Sequence, residues 1–426
     1  MKNEDFIHYT WKYQQFDKNN LKTTNQQPLT VIKTGYRNFN SGPDFENARI
    51  NIEGIEWAGK VEIHIKSSDW NRHQHQFDKA YDNVVLHVVW EHDMEVLRTD
   101  MTPIPTLEIK DLVYADTLQK YENLIKNAAE IPCKYQLPEV SELSKISMLE
   151  KALAHRLQQK SAGLNTLAKA VNGDFEELAY RVFARNMGFK LNSEAFLRLA
   201  ESLPLKIIQK HKGNLFQIEA LMLGQAGFLE NPQHEYSENL ATEYEFLAQK
   251  YNLTSLKMQR LEWRFLRTRL GNFPPVRISQ FAAILNQNQG LFALFLEDAS
   301  KENIEKALQV LPSTYWQKHY DIAKVSETKL NGIGKSSIEN LLINTSVQLL
   351  AFYADVTDNH SYFEKAIGIL ENIKPEKNFI TKIWEDLGFK CTSAFDSQAL
   401  IEQYNFFCGA KKCTQCPIGM EILKKV

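Results

Sequence analysis

The sequence has 426 residues, of which 43% are hydrophobic and 24% are charged, and its formal net charge is −2. This composition excludes a disordered chain and a globally basic nucleic-acid-binding protein, and at ~150 residues per domain it predicts two or three domains. The N-terminal residues lack the apolar core of a secretory signal, and no stretch approaches the roughly 18 apolar residues of a membrane helix. Five cysteines, three of them within residues 408–416, are too few for a disulfide framework. We therefore expect a cytoplasmic protein without a membrane partner.

The first part of the chain, residues 1–135, predicts an α/β domain. Its strand-like segments are rich in β-branched residues, and glycines stand where turns are needed. These segments are residues 29–35, 48–54, 60–66, 83–92 and an edge-type strand at 105–112. The segment 83–92 is nearly continuous in apolar residues, which is typical of a strand buried on both faces. An amphipathic helix is predicted directly afterwards, over residues 114–130.

The rest of the chain predicts helices. Apolar residues recur with helical spacing over most of residues 142–330, which we interpret as a helical domain. Residues 331–426 continue this pattern as a C-terminal helical region that ends in a cysteine cluster. The predicted fold class is therefore α+β, with an N-terminal α/β domain followed by a large all-helical region.

Polar residues on one predicted strand indicate a site. In "KVEIHIK" (60–66), Glu62, His64 and Lys66 alternate with apolar residues and so share one face of the strand. If this strand pairs with the preceding one, Asp44 approaches Glu62. Two adjacent carboxylates repel each other unless a cation lies between them, and carboxylate oxygens suit Mg²⁺ or Mn²⁺. We expect Asp44 and Glu62 to bind such an ion.

The same residues resemble the PD-(D/E)xK nuclease superfamily, through "PD" at Pro43-Asp44 and the Glu62-x-His64 segment that follows. The resemblance implies a restriction-endonuclease-like fold in which Asp44 and Glu62 hold the metal. His64 stands where the superfamily has lysine, and Lys66 lies one step further on the same face. It therefore implies Asp44, Glu62, His64 and Lys66 as catalytic residues, the last two positioning water and stabilising charge.

Five of the eleven histidines lie between residues 64 and 92. Asp69, His73 and His75 follow the Glu62/His64 strand closely, and a His-x-His pair on an extended segment directs both rings to one side. These three residues are further candidate metal ligands, as a second shell or a second site for Zn²⁺, Mn²⁺ or Fe²⁺. The alternative is that His73 and His75 are ordinary surface residues of a loop.

The C-terminal cysteines, Cys408, Cys413 and Cys416, have the pattern C-x4-C-x2-C. Three thiols need a fourth ligand to complete a tetrahedral zinc site or an iron–sulfur cluster. Cys133 is the preferred fourth ligand and Cys391 is the other candidate. The alternative is a set of reduced free thiols.

A basic segment at residues 257–277 is a candidate nucleic-acid-binding surface. Its candidate contacts are Arg260, Arg264, Arg267 and Arg269. The first three recur at helical spacing, so on a helix they would share one face able to contact a phosphate backbone. The alternative is a solvated or acid-paired helix face. A second candidate phosphate contact is the helix-hairpin-helix-like turn "LNGIGKSSIENLL" (330–342), which a plain turn between helices explains equally well.

Taken whole, the chain is similar to a bacterial domain-of-unknown-function family, family 2851. The similarity rests on segments spread along the chain, among them "SGPDF", "RTRLGNFPPVRISQ" and "KKCTQCPIG", and it implies no activity by itself. From the residues we predict a nuclease that hydrolyses phosphodiester bonds in DNA or RNA with Mg²⁺ or Mn²⁺. The alternatives are a non-catalytic nucleic-acid-binding scaffold and a metalloenzyme that acts on a small substrate through the histidine cluster.

Overall fold

The computed structural model describes residues 3–38, 40–266, 269–297 and 299–424. It has a mixed α+β architecture and divides into two compact units. The first unit comprises residues 1–152, 386–388 and 400–426, and the second comprises residues 153–385 and 389–399. The C-terminal cysteine segment therefore groups with the N-terminal unit. No helix among the described residues is both long enough and apolar enough to cross a bilayer.

Strands are concentrated in the first unit. In chain order they are β1 Leu29–Lys33, β2 Tyr36–Arg37, β3 Phe45–Ile52, β4 Ile55–Lys66, β5 Val84–Glu91, β6 Thr106–Glu108, β7 His319–Asp321 and β8 Lys324–Val325. The first six form one sheet in the order β1-β3-β4-β5-β6, with β2 paired to β3. The five strand segments predicted from the sequence are confirmed, and all of β5 before Glu91 is buried, as its apolar run indicates.

The helices are distributed over both units. They are α1 Glu4–Lys12, α2 Asp69–Arg72, α3 Ala115–Lys126, α4 Glu142–Ala162, α5 Asn165–Ala170, α6 Phe175–Met187, α7 Ser193–Ser202, α8 Leu205–Gln209, α9 Leu215–Gln225, α10 Glu235–Tyr251, α11 Pro274–Gln287, α12 Lys301–Leu308, α13 Lys335–Leu341, α14 Val347–Thr357, α15 His360–Glu371, α16 Phe379–Asp386, α17 Ala394–Glu402 and α18 Pro417–Leu423. The predicted helix after the sheet is confirmed as α3.

The hairpin β3–β4 sets the register of the sheet. Glu53 and Gly54 form its two-residue loop, both with positive φ (53° and 86°), which matches the right-handed twist of paired strands. Beyond this antiparallel pair the chain crosses over through α2, so that β5 runs parallel to β4 and β6 runs parallel to β5. Gly59 permits the start of this parallel pairing, because a Cβ there would lie 2.4 Å from Val85. The carboxyl end of β4 therefore lies beside the crossover segment.

A buried core fixes the crossover and α1 against the sheet. Trp70 of α2 packs with Val84, Val96 and Ile104, and its indole N–H donates to a backbone carbonyl 3.0 Å away. Helix α1 packs against β4 and buries six consecutive residues, from Phe6 to Trp11. Its amino end is capped by Asn3, whose side chain accepts from the Phe6 N–H. Helix α1 and the crossover segment therefore both lie next to β4.

The second unit departs from the sequence prediction in two places. The short hairpin β7–β8 interrupts the region predicted to be all-helical, and Ala323 in its loop has φ of +58°. Between residues 257 and 273, the described residues contain only short 3-10 turns instead of the expected basic helix. There the backbone N–H of Arg264 donates to the Asn192 side chain and Trp263 is buried, so tertiary contacts replace helical hydrogen bonds. The expectation of a continuous helical face in this segment is therefore wrong.

Candidate functional site

Asp44 and Glu62 come together across the β3–β4 pair. Asp44 immediately precedes β3, whose first residue, Phe45, is in register with Val61 of β4. The Asp44 N–H donates to Glu62 Oε2 at 3.0 Å, and the Ile63 N–H donates to Asp44 Oδ2 at 3.1 Å. The two acidic residues are thus fixed side by side by reciprocal backbone contacts.

The carboxyl of Glu62 is buried in an environment that disfavours its charged form. Its residue is only 6% exposed. Burial, followed by the neighbouring Asp44 carboxylate, raises the pKa of Glu62 well above its usual range. A cation at this carboxyl would offset both effects.

Three histidine side chains lie close together, and two of them approach the second oxygen of Glu62. His64 Nε2 lies 3.6 Å and His75 Nε2 3.5 Å from Glu62 Oε1, and His64 Nε2 lies 3.0 Å from His73 Nδ1. One ring nitrogen from each of the three histidines lies within 4.8 Å of the others. This arrangement can offer three nitrogen ligands to one point, with the carboxylate of Glu62 beside His64 and His75.

The crossover segment aims His73 and His75 at β4. The expected extended His-x-His segment is wrong: His73 follows the short helix α2, and His75 begins a 3-10 turn. Gln74 between them has a left-handed backbone (φ +63°), which turns the chain so that both rings face His64. Tyr81 stacks on His75 with ring centroids 3.8 Å apart. His73 remains exposed while His75 is buried.

His87 supports His64 from the neighbouring strand. It is fully buried on β5, in parallel register with Glu62, and its Nε2 lies 2.8 Å from His64 Nδ1. Burial, followed by the nearby imidazoles, lowers the pKa of His64 to about 2 and that of His87 to about 3. Both rings are therefore neutral, so one nitrogen of His64 carries a lone pair that can bind a metal.

Helix α1 and β2 add groups that the sequence did not indicate. His8 Nε2 lies 3.0 Å from Asp44 Oδ2, without the alignment of a hydrogen bond, and Arg37 Nη2 lies 3.8 Å from Asp44 Oδ1. Glu4 is close enough to Asp44 and His73 to interact electrostatically, and burial raises its pKa. The i, i+4 spacing of Glu4 and His8 places them on one face of α1 but does not indicate that this face meets Asp44.

Two predicted site residues are engaged elsewhere. Lys66 Nζ is half exposed and lies 3.8 Å from Glu91 Oε1 on β5. Asp69 is buried at the start of α2, where Oδ2 accepts from the Lys66 N–H at 3.2 Å and Oδ1 lies 2.9 Å from Arg72 Nη2. These contacts give Lys66 and Asp69 roles in holding the crossover segment.

The cysteines fall into one group and one outlier. Cys133, Cys408, Cys413 and Cys416 are all buried and interact electrostatically with one another, whereas the neighbours of Cys391 are Asp396 and Glu385 in the second unit. Of the two candidates for a fourth ligand, Cys133 is the one that lies with the C-terminal trio.

The predicted basic surface is dispersed. Arg260 Nη2 lies 2.6 Å from Asp321 Oδ2 of β7, while Arg264 and Arg269 are exposed. Arg267 lies outside the described residues. No shared helical face joins the described arginines of this segment.

Comparisons with other proteins identify the family of the chain but no activity. Searches of the curated proteins and of the solved structures found no significant match. One family model, described as protein of unknown function (DUF2851), matches residues 4–379, which include every residue of the β3–β4–α2 site. The chain therefore belongs to the DUF2851 family.

Proposed function

We propose that the protein is a hydrolase that depends on a divalent metal and cleaves phosphodiester bonds in nucleic acid. The observation that carries the proposal is the grouping of His64, His73 and His75, with Glu62 beside two of them and next to Asp44. A buried carboxyl beside a second carboxylate is unfavourable in its charged form unless a cation joins them, and the neutral imidazoles nearby can bind that cation.

The spacing of these groups supports a first-row metal. Three of the contacts between them are 3.0–3.6 Å long, and metal–ligand bonds of about 2.0–2.2 Å in a tetrahedron place ligands roughly 3.3–3.6 Å apart. Imidazole nitrogens favour Zn²⁺, Fe²⁺ or Mn²⁺ over Mg²⁺, so of the two ions expected at the acidic pair Mn²⁺ is the better match. When bound, such an ion polarises a phosphoryl oxygen and lowers the pKa of a water molecule.

The surrounding residues have distinct tasks in this proposal. We assign the proton between the rings of His64 and His87 to His64 Nδ1, which donates to His87 Nε2 and leaves His64 Nε2 available as a ligand. Asp44 and His8 form the neighbouring acid–base pair that can accept a proton from the attacking water. Arg37 adds a positive charge beside them, and its buried Nε has no hydrogen-bond partner among the described residues, so it can donate to a phosphate.

The topology of the first unit supports a restriction-endonuclease-like core. It combines an antiparallel hairpin that carries both acidic residues with a crossover to a parallel strand. Lys66, one step beyond the position at which the PD-(D/E)xK pattern has lysine, is paired with Glu91. We therefore assign no contact with substrate to Lys66, and positive charge at the site comes from the metal and Arg37.

A second candidate function is metal-dependent chemistry on a small substrate. The limited access of solvent and substrate to the site favours this function. Glu62, His64 and His75 are at most 9% exposed, and His73 is the ligand open to solvent. A phosphate within a polymer must approach along the His73 side, whereas a small molecule has no such restriction.

Hydrolysis by the full chain distinguishes these functions. After chelator treatment, the protein is supplied with Mn²⁺ or Zn²⁺ and mixed with labelled oligonucleotides or with bis(p-nitrophenyl) phosphate. We expect metal-dependent cleavage of both substrates, with a loss of at least about tenfold in His73→Gln. His360→Gln, which changes an exposed histidine of α15 in the second unit, should retain full activity.

Cleavage of the small diester alone would favour the second candidate function. The absence of cleavage with either metal, or equal rates in both variants, would contradict the proposal.

A further inference from the structure

The four cysteines of the first unit form a second potential metal-binding group, remote in sequence from the histidine site. Cys133 lies in a turn after α3, and its carbonyl accepts from the Gln136 N–H. Cys408 ends a π-helical segment, Gln403–Cys408, and Cys416 directly precedes α18. All four side chains belong to residues that are less than 9% exposed. π-Helical segments such as Gln403–Cys408 are often found at functional sites.

Gln403 joins two of the thiols directly. Its side-chain amide lies 3.3 Å from Cys416 Sγ and 3.6 Å from Cys408 Sγ. Cys133 is near enough to Cys413 and Cys416 to interact with both. The four buried thiols therefore lie close to one another, and none of them is in a disulfide.

Opposing effects act on the thiol of Cys416. Burial, the largest of them, raises its pKa, whereas Gln403, the backbone of Ile418 and Gly419, and the ammonium of Lys151 oppose that rise. A neutral thiol is a weak acceptor, so groups of this kind favour a thiolate. N–H donors directed at sulfur are the groups that tune cysteine-ligated clusters. Glycine is required at 419, because a Cβ there would lie 2.1 Å from the Cys413 carbonyl oxygen.

The separation of the sulfurs distinguishes two occupants. A single tetrahedral zinc with Zn–S bonds of about 2.3 Å holds its four sulfurs about 3.8 Å apart. Among these four described cysteines, no three sulfurs all lie within 4.8 Å of one another. An iron–sulfur cluster accepts wider spacing because its thiolates bind different iron atoms. The C-x4-C-x2-C spacing of Cys408, Cys413 and Cys416 is also found in cluster-binding loops.

We propose that Cys133, Cys408, Cys413 and Cys416 bind an iron–sulfur cluster that links the end of the sheet-containing segment to the C-terminal segment. The cluster stabilises the first unit by joining two parts of the chain far apart in sequence. Gln403 donates to two of its thiolates and so adjusts its reduction potential.

Anaerobic purification of the full chain tests the proposal. We expect iron and acid-labile sulfide in equal amounts, at two or more of each per chain, with visible absorption that bleaches on reduction. Cys133→Ser should lose most of the iron, whereas Cys391→Ser, the matched control in the second unit, should retain it. Gln403→Leu should keep the cluster and shift its potential to a more negative value, because an N–H donor to sulfur is lost.

Several outcomes would overturn the proposal. One equivalent of zinc without sulfide would assign a mononuclear site to the same cysteines. Protein that lacks iron and cannot be reconstituted anaerobically with Fe²⁺ and sulfide would leave the thiols without a cluster. Iron retained equally in Cys133→Ser and Cys391→Ser would remove Cys133 from the ligand set.

Discussion

Glu219 is a buried carboxyl whose replacement gives a quantitative prediction. It lies on α9, is 1% exposed, and accepts a hydrogen bond from the Tyr236 hydroxyl at 2.7 Å. Burial raises its pKa from 4.5 to about 7, although the donors of Tyr236 and Ser313 limit the rise. Glu219→Gln keeps the side-chain shape and an oxygen acceptor for Tyr236 but removes the charge.

The sign of the effect follows from proton binding. Because the folded state has the higher pKa, it binds more protons than the unfolded state, and stability falls as pH rises from about 4.5 through about 7. The difference between pKa values of 4.5 and about 7, at roughly 1.4 kcal/mol for each factor of ten in proton affinity, corresponds to about 3 kcal/mol lost by the wild type above pH 8. Glu219→Gln does not lose this free energy, so its stability relative to wild type should improve by about 2–3 kcal/mol between pH 5 and pH 8.

Denaturation by urea at the two pH values measures this change. The change in the variant–wild-type difference from pH 5 to pH 8 cancels any constant cost of burying the amide. Glu245→Gln, at an exposed position on α10, should show little change with pH. A difference between Glu219→Gln and wild type that is the same at pH 5 and pH 8 would refute the reasoning.

Two further predictions concern the second unit. Gly224→Ala should destabilise the fold by about 1–3 kcal/mol or more, because its Cβ would lie 2.1 Å from the Tyr244 ring. Gly368→Ala, with no atoms within 4 Å of its Cβ, should stabilise the fold by up to about 1 kcal/mol. Equal melting temperatures of the two variants would contradict this. Arg260→Ala should lower the melting temperature, because its partner is a buried aspartate of β7, whereas the exposed Arg264 should tolerate alanine. Equal tolerance of both substitutions would show that the ion pair contributes nothing.

Local patterns predicted the sheet and the acidic pair well. The β3–β4 loop is only two residues long, so neighbouring segments in sequence become neighbouring strands and Asp44 meets Glu62. The apolar run of β5 predicted burial on both faces because that property depends on composition alone.

The remaining features of the candidate site depend on tertiary structure. His8 reaches Asp44 through the packing of α1 against β4, which no local pattern encodes. The direction of His73 and His75 depends on the left-handed backbone of Gln74, a residue with no strong turn preference. Similarly, the helical spacing of the arginines after residue 257 is overridden because Asn192 binds the backbone of Arg264.

Binding of Mn²⁺ tests the proposed metal centre most directly, since Mn²⁺ prefers oxygen and nitrogen ligands over thiolates. Titration of the chelator-treated full chain, followed by the electron paramagnetic resonance signal of free Mn²⁺, gives the number of sites and their affinity. We predict one site per chain in the wild type and in His360→Gln, and loss of most of its affinity in His73→Gln and Glu62→Gln. Unchanged binding in the last two variants, or no binding in the wild type, would contradict the account.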